Sequence, residues 1–437
     1  MWLVDKEWRE LVASKSWWIF LGVIGPLVGF SFIQSVRTYG ELSGAGGTAA
    51  GVGEAFSPLV GIWAPTFSAC ELAAAFLLPF VAIRLIAGDR QSGALKIELQ
   101  HPMPATVRVS AKALVLALGW LIASAAPAAA IVLWKLYGGS IYLPELGAVA
   151  FGHFMNAGLT IALGAAAAAI TEHPSTAAIA TLSVTVGTWI VNFVAAVQGG
   201  IWERFAGYTP TAMVAEFQHG LVRLDVLLIA LSLIVCGLAL AAVWLRLGVP
   251  VRRRFAESIA IGTAAAAAIF AFSFATASWD TSENRMNSFS EPDERALSQI
   301  HDPLRIEAHL APEDPRRVDL EHRALSKLRR VLPHLQVDYV SATSVGLFEQ
   351  TGAHYGEIWY ELDGRRAMSR NTTAEGVVET IYSLAGFGDR SPATSGDHDV
   401  FRGHPLAVRP AGAGMVFYII WPSAVAATAF LMRRRST

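Results

Sequence analysis

Eight long apolar stretches limit how this chain can fold more than any other feature. A helix rises 1.5 Å per residue, so about 20 apolar residues cross the ~30 Å hydrocarbon layer of a bilayer. Helices also satisfy their own backbone hydrogen bonds in lipid, which open strands and loops cannot do. We therefore predict eight transmembrane helices, at residues 17–36, 64–87, 113–134, 146–170, 175–197, 226–245, 256–277 and 415–432.

The composition is that of a polytopic membrane protein with one water-soluble domain. Hydrophobic residues make up 53% of the chain and charged residues 16%, against about 25% charged residues in soluble proteins. The single long hydrophilic segment, 278–410, lies between the seventh and eighth stretches. Cys70 and Cys236 lie in separate stretches and form no CxxC pattern, so they predict neither a metal site nor a redox site. No nucleic-acid partner is expected.

The distribution of basic residues predicts the orientation. Outside 278–410, 15 of the 19 lysines and arginines fall on segments that alternate to one side of the membrane. The positive-inside rule then places both termini in the cytoplasm. With eight spans, residues 278–414 are expected to be extracytoplasmic, and the protein is expected in the cytoplasmic (inner) membrane of a bacterium.

The first sixteen residues form an amphipathic pattern. Val4, Trp8, Leu11 and Val12 fall on one helical face, and charged residues cover much of the rest. This pattern predicts an interfacial helix at 1–16 that lies in the cytoplasmic headgroup layer. An ordinary juxtamembrane leader is the alternative.

The cytoplasmic segment 88–104 contains the most informative loop. An acidic-basic pair precedes a glycine, Leu95 and Leu99 follow at helical spacing, and two prolines end the stretch. The pattern indicates a short surface helix, which could dock into the groove of another protein or simply connect two spans.

Residues 1 to about 247 resemble the permeases of type-2 ABC exporters. Ala94 departs from the family, which usually has threonine there. In the 88–112 segment the resemblance depends on Asp89, Arg90, Gly93, Leu95, Leu99, Pro102 and Lys112. A second part, before the sixth span, comprises Tyr208-Thr209-Pro210, Phe217, Gly220 and Asp225.

The resemblance implies a six-span permease core at 17–247 that dimerises, with itself or with a related chain, and is driven by a separate cytoplasmic ATPase. The chain has no GxxxxGK[ST] phosphate-binding loop. We therefore expect a transport subunit rather than an enzyme, without a cofactor of its own, because ATP would bind to the partner. The residues implied in ATPase coupling are Asp89, Arg90, Gly93, Leu95, Leu99 and Pro102.

The hydrophilic block has the pattern of an α/β domain. Strands are predicted at 304–310 and 335–340, a helix at 316–331, a hairpin turning at Asp363-Gly364, and a helix at 373–384 capped by Thr373. The order β-α-β then β-β-α predicts a thioredoxin-like domain. It lacks CxxC, because the block contains no cysteine.

Five short motifs of the same block are 279–282, 287–290, Asp302-Pro303-Leu304, Asp314-Pro315-Arg316 and Tyr355-Gly356-Glu357. With these motifs, the block over about 275–387 resembles the auxiliary domain of gliding-motility-type (Gld-like) ABC transporters.

The remaining predicted segments are a seventh span at 248–277, the domain at 278–387, a flexible tether at 388–414, and an eighth span with a basic tail at 415–437.

Three polar residues within the apolar stretches are candidates for a substrate pathway. Glu71 lies early in the second stretch, and His153 and Asn156 lie in the fourth. Such groups usually face a bundle interior or a cavity, although helix packing explains them equally well. The spacing Gly25-x-x-x-Gly29 would allow two helices to approach closely. The histidines of the hydrophilic block are scattered, so no metal site is expected.

The predicted function is that of an ABC exporter permease whose extracytoplasmic domain handles cargo or a partner protein, with membrane lipids as its surroundings. The alternative is an envelope receptor or scaffold that uses an ABC ATPase for remodelling without moving a solute. No HExxH or GxSxG pattern supports an intramembrane enzyme. A lipid, a hydrophobic peptide and a glycan-lipid conjugate all remain open as cargo.

Overall fold

The structure is a computed structural model of the 437-residue chain. It describes residues 2–42, 57–92, 103–198, 201–246, 248–283, 285–311, 314–340, 354–387 and 410–436. The chain divides into two compact units. Unit 1 comprises Met1–Trp279 and Gly403–Thr437, and unit 2 comprises Asp280–Arg402.

Unit 1 is helical, and eight helices within its described ranges are long and apolar enough to cross a membrane. The prediction of eight apolar helices long enough to span a membrane is confirmed over these ranges. We number them as the first to eighth spans: Lys15–Glu41, Leu59–Gly88, Ala105–Leu136, Leu143–Ile170, Pro174–Ala195, Leu224–Trp244, Val251–Phe272 and Ala413–Arg434.

Several spans consist of more than one helix. The helices of unit 1 are α1 (Trp2–Ala13), α2 (Lys15–Leu42), α3 (Ala64–Phe76), α4 (Leu78–Ser92), α5 (Ala105–Ala123), α6 (Ala125–Leu136), α7 (Leu143–Ile170), α8 (Pro174–Gln198), α9 (Ile201–Ala206), α10 (Pro210–Gln218), α11 (Leu224–Trp244), α12 (Val251–Phe272), α17 (Ala413–Met415) and α18 (Trp421–Ser436). Single π-helical turns at Leu59–Trp63 and Val416–Ile420 lead into α3 and α18. Two three-residue strands, β1 (Leu221–Arg223) and β2 (Ser278–Asp280), pair with each other.

Three predicted spans begin five or more residues earlier than the hydropathy pattern indicated. The third starts at Ala105 rather than 113. The second starts at Leu59 rather than 64, because the π-helical turn extends it. Glu71 therefore lies about 18 Å along this span, near its middle rather than early in it. The seventh span runs over Val251–Phe272 instead of 256–277, since its arginine-rich first turn is already helical and a turn follows at Ser273.

The fourth span lies at the centre of unit 1 and packs against the second, third, fifth and sixth spans. Its alanines and glycines leave little side-chain volume, so neighbouring helices approach closely. The benzyl group of Phe217 on α10 fills the space where a Cβ at Gly152 would lie. Gly152 is nine residues, or about 13 Å, from the start of the span, so α10 reaches well inside the bundle.

Helix α1 packs against the protein, and its predicted position in a headgroup layer stays a prediction. The predicted apolar face was only partly right, because the structure buries Leu3, Glu7 and Leu11, while Val4, Trp8 and Val12 are half-buried at its edges. Helix α1 ends at Ala13, before the predicted residue 16, and packs along α5. Its charged residue Glu7 belongs to the buried face because α5 supplies a cation opposite it.

The first and eighth spans pack through the predicted glycine pair. A Cβ at Gly25 would overlap the indole of Trp421, and a Cβ at Gly29 would overlap the side chain of Phe417. The indole Nε1 of Trp421 also donates a hydrogen bond of 2.7 Å to the carbonyl oxygen of Leu21. The eighth span therefore joins the same compact unit as the six-span bundle, although about 140 residues separate it from the seventh.

Unit 2 is a four-stranded mixed sheet with helices packed on one face. Strand order is β4-β3-β5-β6, in which β3 is parallel to β4 and antiparallel to β5, and β6 is antiparallel to β5. A single-turn π segment at Glu321–Leu325 joins α14 to α15. The elements are α13 (Glu291–Leu297), β3 (Leu304–Ala308), α14 (Pro315–Leu320), α15 (Ser326–Val331), β4 (Leu335–Tyr339), β5 (Ile358–Leu362), β6 (Arg365–Ser369) and α16 (Ala374–Ala385).

The local predictions for unit 2 agree with these elements, apart from a first strand that ends at Ala308 and not at 310. The hairpin turns at Asp363 and Gly364, whose φ angles of 48° and 72° suit a two-residue turn of type I′. Thr373 caps α16 by accepting a hydrogen bond from the backbone N–H of Gly376 at 3.2 Å.

Two separated motifs meet at one end of this sheet. The carboxylate of Asp314 accepts hydrogen bonds from the guanidinium of Arg316 and from the hydroxyl of Tyr355, each at 2.7 Å. It also accepts one from the backbone N–H of Arg316 and so caps α14. Gly356 has φ +86°, and a Cβ there would lie 2.8 Å from Arg316. The guanidinium of Arg316, with these other donors, lowers the pKa of Asp314 from 3.8 to about 2.

Replacing Gly29 by leucine is expected to separate the first and eighth spans, because the new side chain needs the volume that Phe417 occupies. Overpacking of this kind costs about 1–3 kcal/mol, so the purified variant should melt at a lower temperature than the wild type. Gly22→Leu is the matched control, since a Cβ at Gly22 meets nothing within 4 Å. Equal melting temperatures for the two variants would refute this packing.

Replacing Asp314 by asparagine is expected to destabilise unit 2 in a pH-dependent way. The folded pKa lies below the unfolded one, so the carboxylate stabilises the fold above pH 3.8 and loses this effect as the pH falls towards 2. The Asp314→Asn variant should lose about 1 kcal/mol at neutral pH and almost nothing near ~pH 2. Hydrogen exchange of the peptide that contains α14, corrected for intrinsic exchange rates, measures this loss of stability at each pH. Asp319→Asn, in an exposed pair with Arg323, should show neither effect, and a pH-independent loss in Asp314→Asn would contradict the assignment.

Candidate functional site

Two polar sites lie within the apolar bundle of unit 1. The first, which we call the junction, consists of Glu7, Lys112 and the carbonyl group of Leu85. The second is a cavity beside Glu71. Ionisable groups in such surroundings are costly unless they are paired, so their positions point to function or to a specific structural need.

The junction connects three helices at one end of the bundle. The Nζ of Lys112 lies 2.6 Å from Oε2 of Glu7, and the two side chains are 4% and 1% exposed. The same Nζ donates a hydrogen bond of 3.1 Å to the carbonyl oxygen of Leu85 in α4. Lys6 supplies a second cation, 3.3 Å from Oε1 of Glu7. The ammonium group thus holds the N-terminal helix, the end of the second span and the start of the third span together.

The predicted coupling segment begins one helical turn beyond this junction. Asp89 and Arg90 belong to the last turns of α4, which continues from the second span to Ser92. They therefore extend that span and do not begin a separate surface helix. Gly93, Leu95, Leu99 and Pro102 lie outside the described residues, and the docking helix stays a prediction. Described structure resumes at Met103, whose carbonyl oxygen accepts a hydrogen bond from Arg108 at 3.0 Å.

The cavity measures about 300 Å³ and lies between the second span, the fifth span and α10. It is open on one side, where Ser68 and Leu72 are exposed. The hydroxyl of Thr211 lies beside the carboxylate of Glu71 in this lining. The edge of Trp189 lies against the ring of Phe76, with centroids 5.5 Å apart. The lining residues are Ser68, Glu71, Leu72, Trp189, Asn192 and Thr211.

The start of α10 is fixed to the fifth span by a polar pair. The hydroxyl oxygen of Thr209 lies 2.9 Å from Nδ2 and 3.0 Å from Oδ1 of Asn192. It also donates a hydrogen bond of 2.7 Å to the carbonyl oxygen of Ala206, which closes the turn between α9 and α10. Asn192 therefore positions the helix that carries Thr211 into the cavity.

The end of α10 is bound to the fourth span. Nε2 of Gln218 lies 3.1 Å from Nε2 of His153 and donates a hydrogen bond of 3.1 Å to the hydroxyl of Ser68. Because Nε2 of His153 must accept from the amide, the proton of the neutral ring is on Nδ1. That atom is buried and makes no hydrogen bond within the described part of the chain. The ring of Phe67 lies 5.4 Å from the imidazole.

The structure brings two of the three predicted pathway residues into one polar network. Glu71 lines the cavity, and His153 connects to it through Gln218 and Ser68. Asn156 is buried one turn further along the fourth span and does not line this cavity. Sequence reasoning missed Asn192, although an amide in an otherwise apolar span is a visible signal. Sequence reasoning also missed Gln218 and Thr211, because the hydrophobicity pattern does not show that α10 enters the bundle.

The cavity combines one carboxylate, neutral hydrogen-bonding groups and an aromatic ring inside an apolar bundle. Such a lining suits the polar part of an amphiphilic molecule whose apolar part stays among the helices. Within the described residues, no group of three or more His, Cys, Asp or Glu side chains could hold a metal ion. The prediction that the protein has no metal site stays a prediction.

No protein-family model, curated protein or solved structure matches the chain.

Replacing Lys112 by methionine is expected to destabilise unit 1, because the carboxylate of Glu7 then loses the buried cation that lies 2.6 Å from it. Removing one partner of a buried ion pair typically costs about 3–5 kcal/mol, whereas replacing both partners by apolar groups costs far less. The double variant Glu7→Met/Lys112→Met should therefore melt at a higher temperature than Lys112→Met alone. Lys6→Met is the control, since its pairs with Glu7 and Glu10 are partly exposed. Additive effects of the two buried substitutions would show that the pair does not act as a unit.

Proposed function

We propose that this chain is the membrane-spanning permease subunit of an ATP-driven ABC exporter, powered by a separate ATPase. The observation that carries the proposal is the junction of Glu7, Lys112 and Leu85. It lies beside the segment whose residues resemble the coupling element of type-2 exporter permeases. The residues of that segment, Asp89, Arg90, Gly93, Leu95, Leu99 and Pro102, are proposed to contact the ATPase.

An ATPase that moves residues 93–102 also moves the two helices that this segment connects, the second and third spans. If those helices were independent, the loop would absorb the movement. The ammonium group of Lys112 instead bonds to the carbonyl oxygen of Leu85 in one helix and to Glu7 of α1. The ends of the second and third spans and the N-terminal helix then move as one body, which is how a rigid-body switch transmits force.

The cavity beside Glu71 is proposed as part of the substrate pathway. The positive-inside pattern of the sequence favours an extracytoplasmic position for the segment of α9 and α10 that leads to the cavity. A molecule leaving the bundle would therefore pass Glu71 and Asn192. The lining favours an amphiphile, a class that includes lipids, hydrophobic peptides and glycan-lipid conjugates.

We further infer that unit 2 is a thioredoxin-like domain without redox chemistry, fused to the permease on the extracytoplasmic side. Its strand order and directions, β4-β3-β5-β6 with β5 antiparallel to the other three, support this inference. The cluster of Asp314, Arg316 and Tyr355 lies after β3 and before β5. It joins the two motifs that resemble Gld-like auxiliary domains. We propose that this unit handles cargo or an envelope partner.

Co-purification with a candidate ATPase tests the coupling proposal. Leu95→Asp and Leu99→Asp should each weaken ATPase binding by about tenfold or more, since a buried charge in a docking groove removes a central contact. Stimulated ATP hydrolysis should fall with binding. Ile97→Asp is the matched control, because residue 97 lies on the opposite side of the predicted helix from both leucines.

Undiminished binding and hydrolysis in both leucine variants would overturn the docking helix. Equal losses in the Ile97 control would show that the segment does not present the proposed face. In lipid vesicles, the ATPase could bind and hydrolyse ATP without transport of any amphiphile. That result would favour the scaffold alternative over the exporter.

A further inference from the structure

The sheet of unit 2 has two chemically different faces. One face carries Ile306, Ile358 and Tyr360, which are fully buried beneath the helices of the unit. The opposite face carries charged residues and one tryptophan, Trp359, which stay partly or fully exposed. Since neighbouring residues of a strand point to opposite faces, these polar residues form a continuous surface.

Strand register arranges this surface in two adjacent rows. Arg305, Glu361 and Arg366 are cross-strand neighbours in the first row. Glu307, Trp359 and Met368 are neighbours in the second. Trp359 therefore lies in the middle of the sheet. The carboxylate of Glu307 is its neighbour on β3, and the first row, with its alternating charges, lies beside it.

A concave site of about 250 Å³ lies over this surface. His309 and His354 border it beyond the end of β3, with ring centroids 6.1 Å apart. The imidazole of His354 faces Trp359 edge-on, with centroids 6.3 Å apart. The site thus offers an aromatic ring, ring nitrogens and charged hydrogen-bonding groups that converge on one volume.

The charges of the lining balance each other. Arg366 lies 3.0 Å from Glu361, and His309 lies 3.5 Å from Glu307. The lining contains two arginines, Arg305 and Arg366, and two glutamates, Glu307 and Glu361. A site built for an anion or a cation would carry an excess of the opposite charge. In this site the paired arginines keep spare N–H donors and the paired glutamates keep spare lone pairs. These positions can bind a ligand that has no net charge.

We propose that this surface is a binding site for a neutral saccharide. The apolar face of a pyranose ring would lie against Trp359, a rigid and amphipathic platform. Its hydroxyl groups act as both donors and acceptors, so they can bridge the spare positions of Glu307, Glu361 and the arginines. This proposal concerns unit 2 alone and does not depend on the proposed transport function.

Saccharide binding to the full-length protein in lipid nanodiscs tests the proposal, because glycosidic detergents would compete for the site. The probes are maltotetraose, cellotetraose and the tetramer of N-acetylglucosamine, with tetragalacturonate as the anionic comparison. We expect saturation transfer from protein to at least one neutral tetramer at concentrations up to about 5 mM, with weaker transfer to the anionic one.

Trp359→Ala should weaken binding by at least about tenfold, and Trp359→Phe should retain part of it. Glu361→Gln provides a second test that cannot fail through misfolding, since this side chain is 38% exposed. It should weaken binding several-fold. Arg295→Gln is the control, because Arg295 pairs with Glu291 on α13, away from the sheet surface.

Three outcomes would overturn the proposal. The first is the absence of transfer to all three neutral tetramers. The second is transfer that Trp359→Ala and Glu361→Gln both leave unchanged, which would place the saccharide elsewhere. The third is stronger binding of tetragalacturonate than of every neutral probe, which would contradict the inference from charge balance.

Discussion

A polar group inside an apolar bundle must find its partner within the protein, and most of the architecture of unit 1 follows from this constraint. The clearest case is the buried pair of Glu7 and Lys112, at 2.6 Å. An amphipathic helix with a carboxylate on its buried face could not pack against the third span without that ammonium group. The pair therefore decides where α1 lies, and through the carbonyl oxygen of Leu85 it also decides how the second and third spans meet.

The same constraint explains two other contacts that hold the helices of the bundle together. The indole of Trp421 donates to the carbonyl oxygen of Leu21 where two glycines allow the backbones to approach. Gln218 forms hydrogen bonds with both Nε2 of His153 and the hydroxyl of Ser68, and so holds the end of α10 inside the bundle. Each contact joins residues that are far apart in the chain. Each also combines directional hydrogen bonding with a close steric fit, which specifies a single arrangement more sharply than apolar packing alone.

Much of unit 2 follows from local rules that can be read from the sequence. Alternation places Ile306, Ile358 and Tyr360 on the buried face, Asp363-Gly364 suits a tight hairpin turn, and Thr373 caps the last helix. What no local rule shows is that Asp314 and Tyr355, 41 residues apart, share a hydrogen bond. The saccharide surface is equally hidden, because Arg305, Trp359 and Arg366 become neighbours only through strand register.

The sequence by itself determined the eight apolar helices, the α/β character of the hydrophilic block, and the identity of the polar residues in the spans. These features depend on periodicity and composition, which act over a few neighbouring residues. Tertiary structure alone decided which polar groups meet. It buried Glu7, a charged residue beside the predicted apolar face of α1, and it brought Thr211 and Asn192 to Glu71 while leaving Asn156 apart. The physical reason is that a buried charge is stabilised by its partner's position in space, and no local pattern of residues encodes that position.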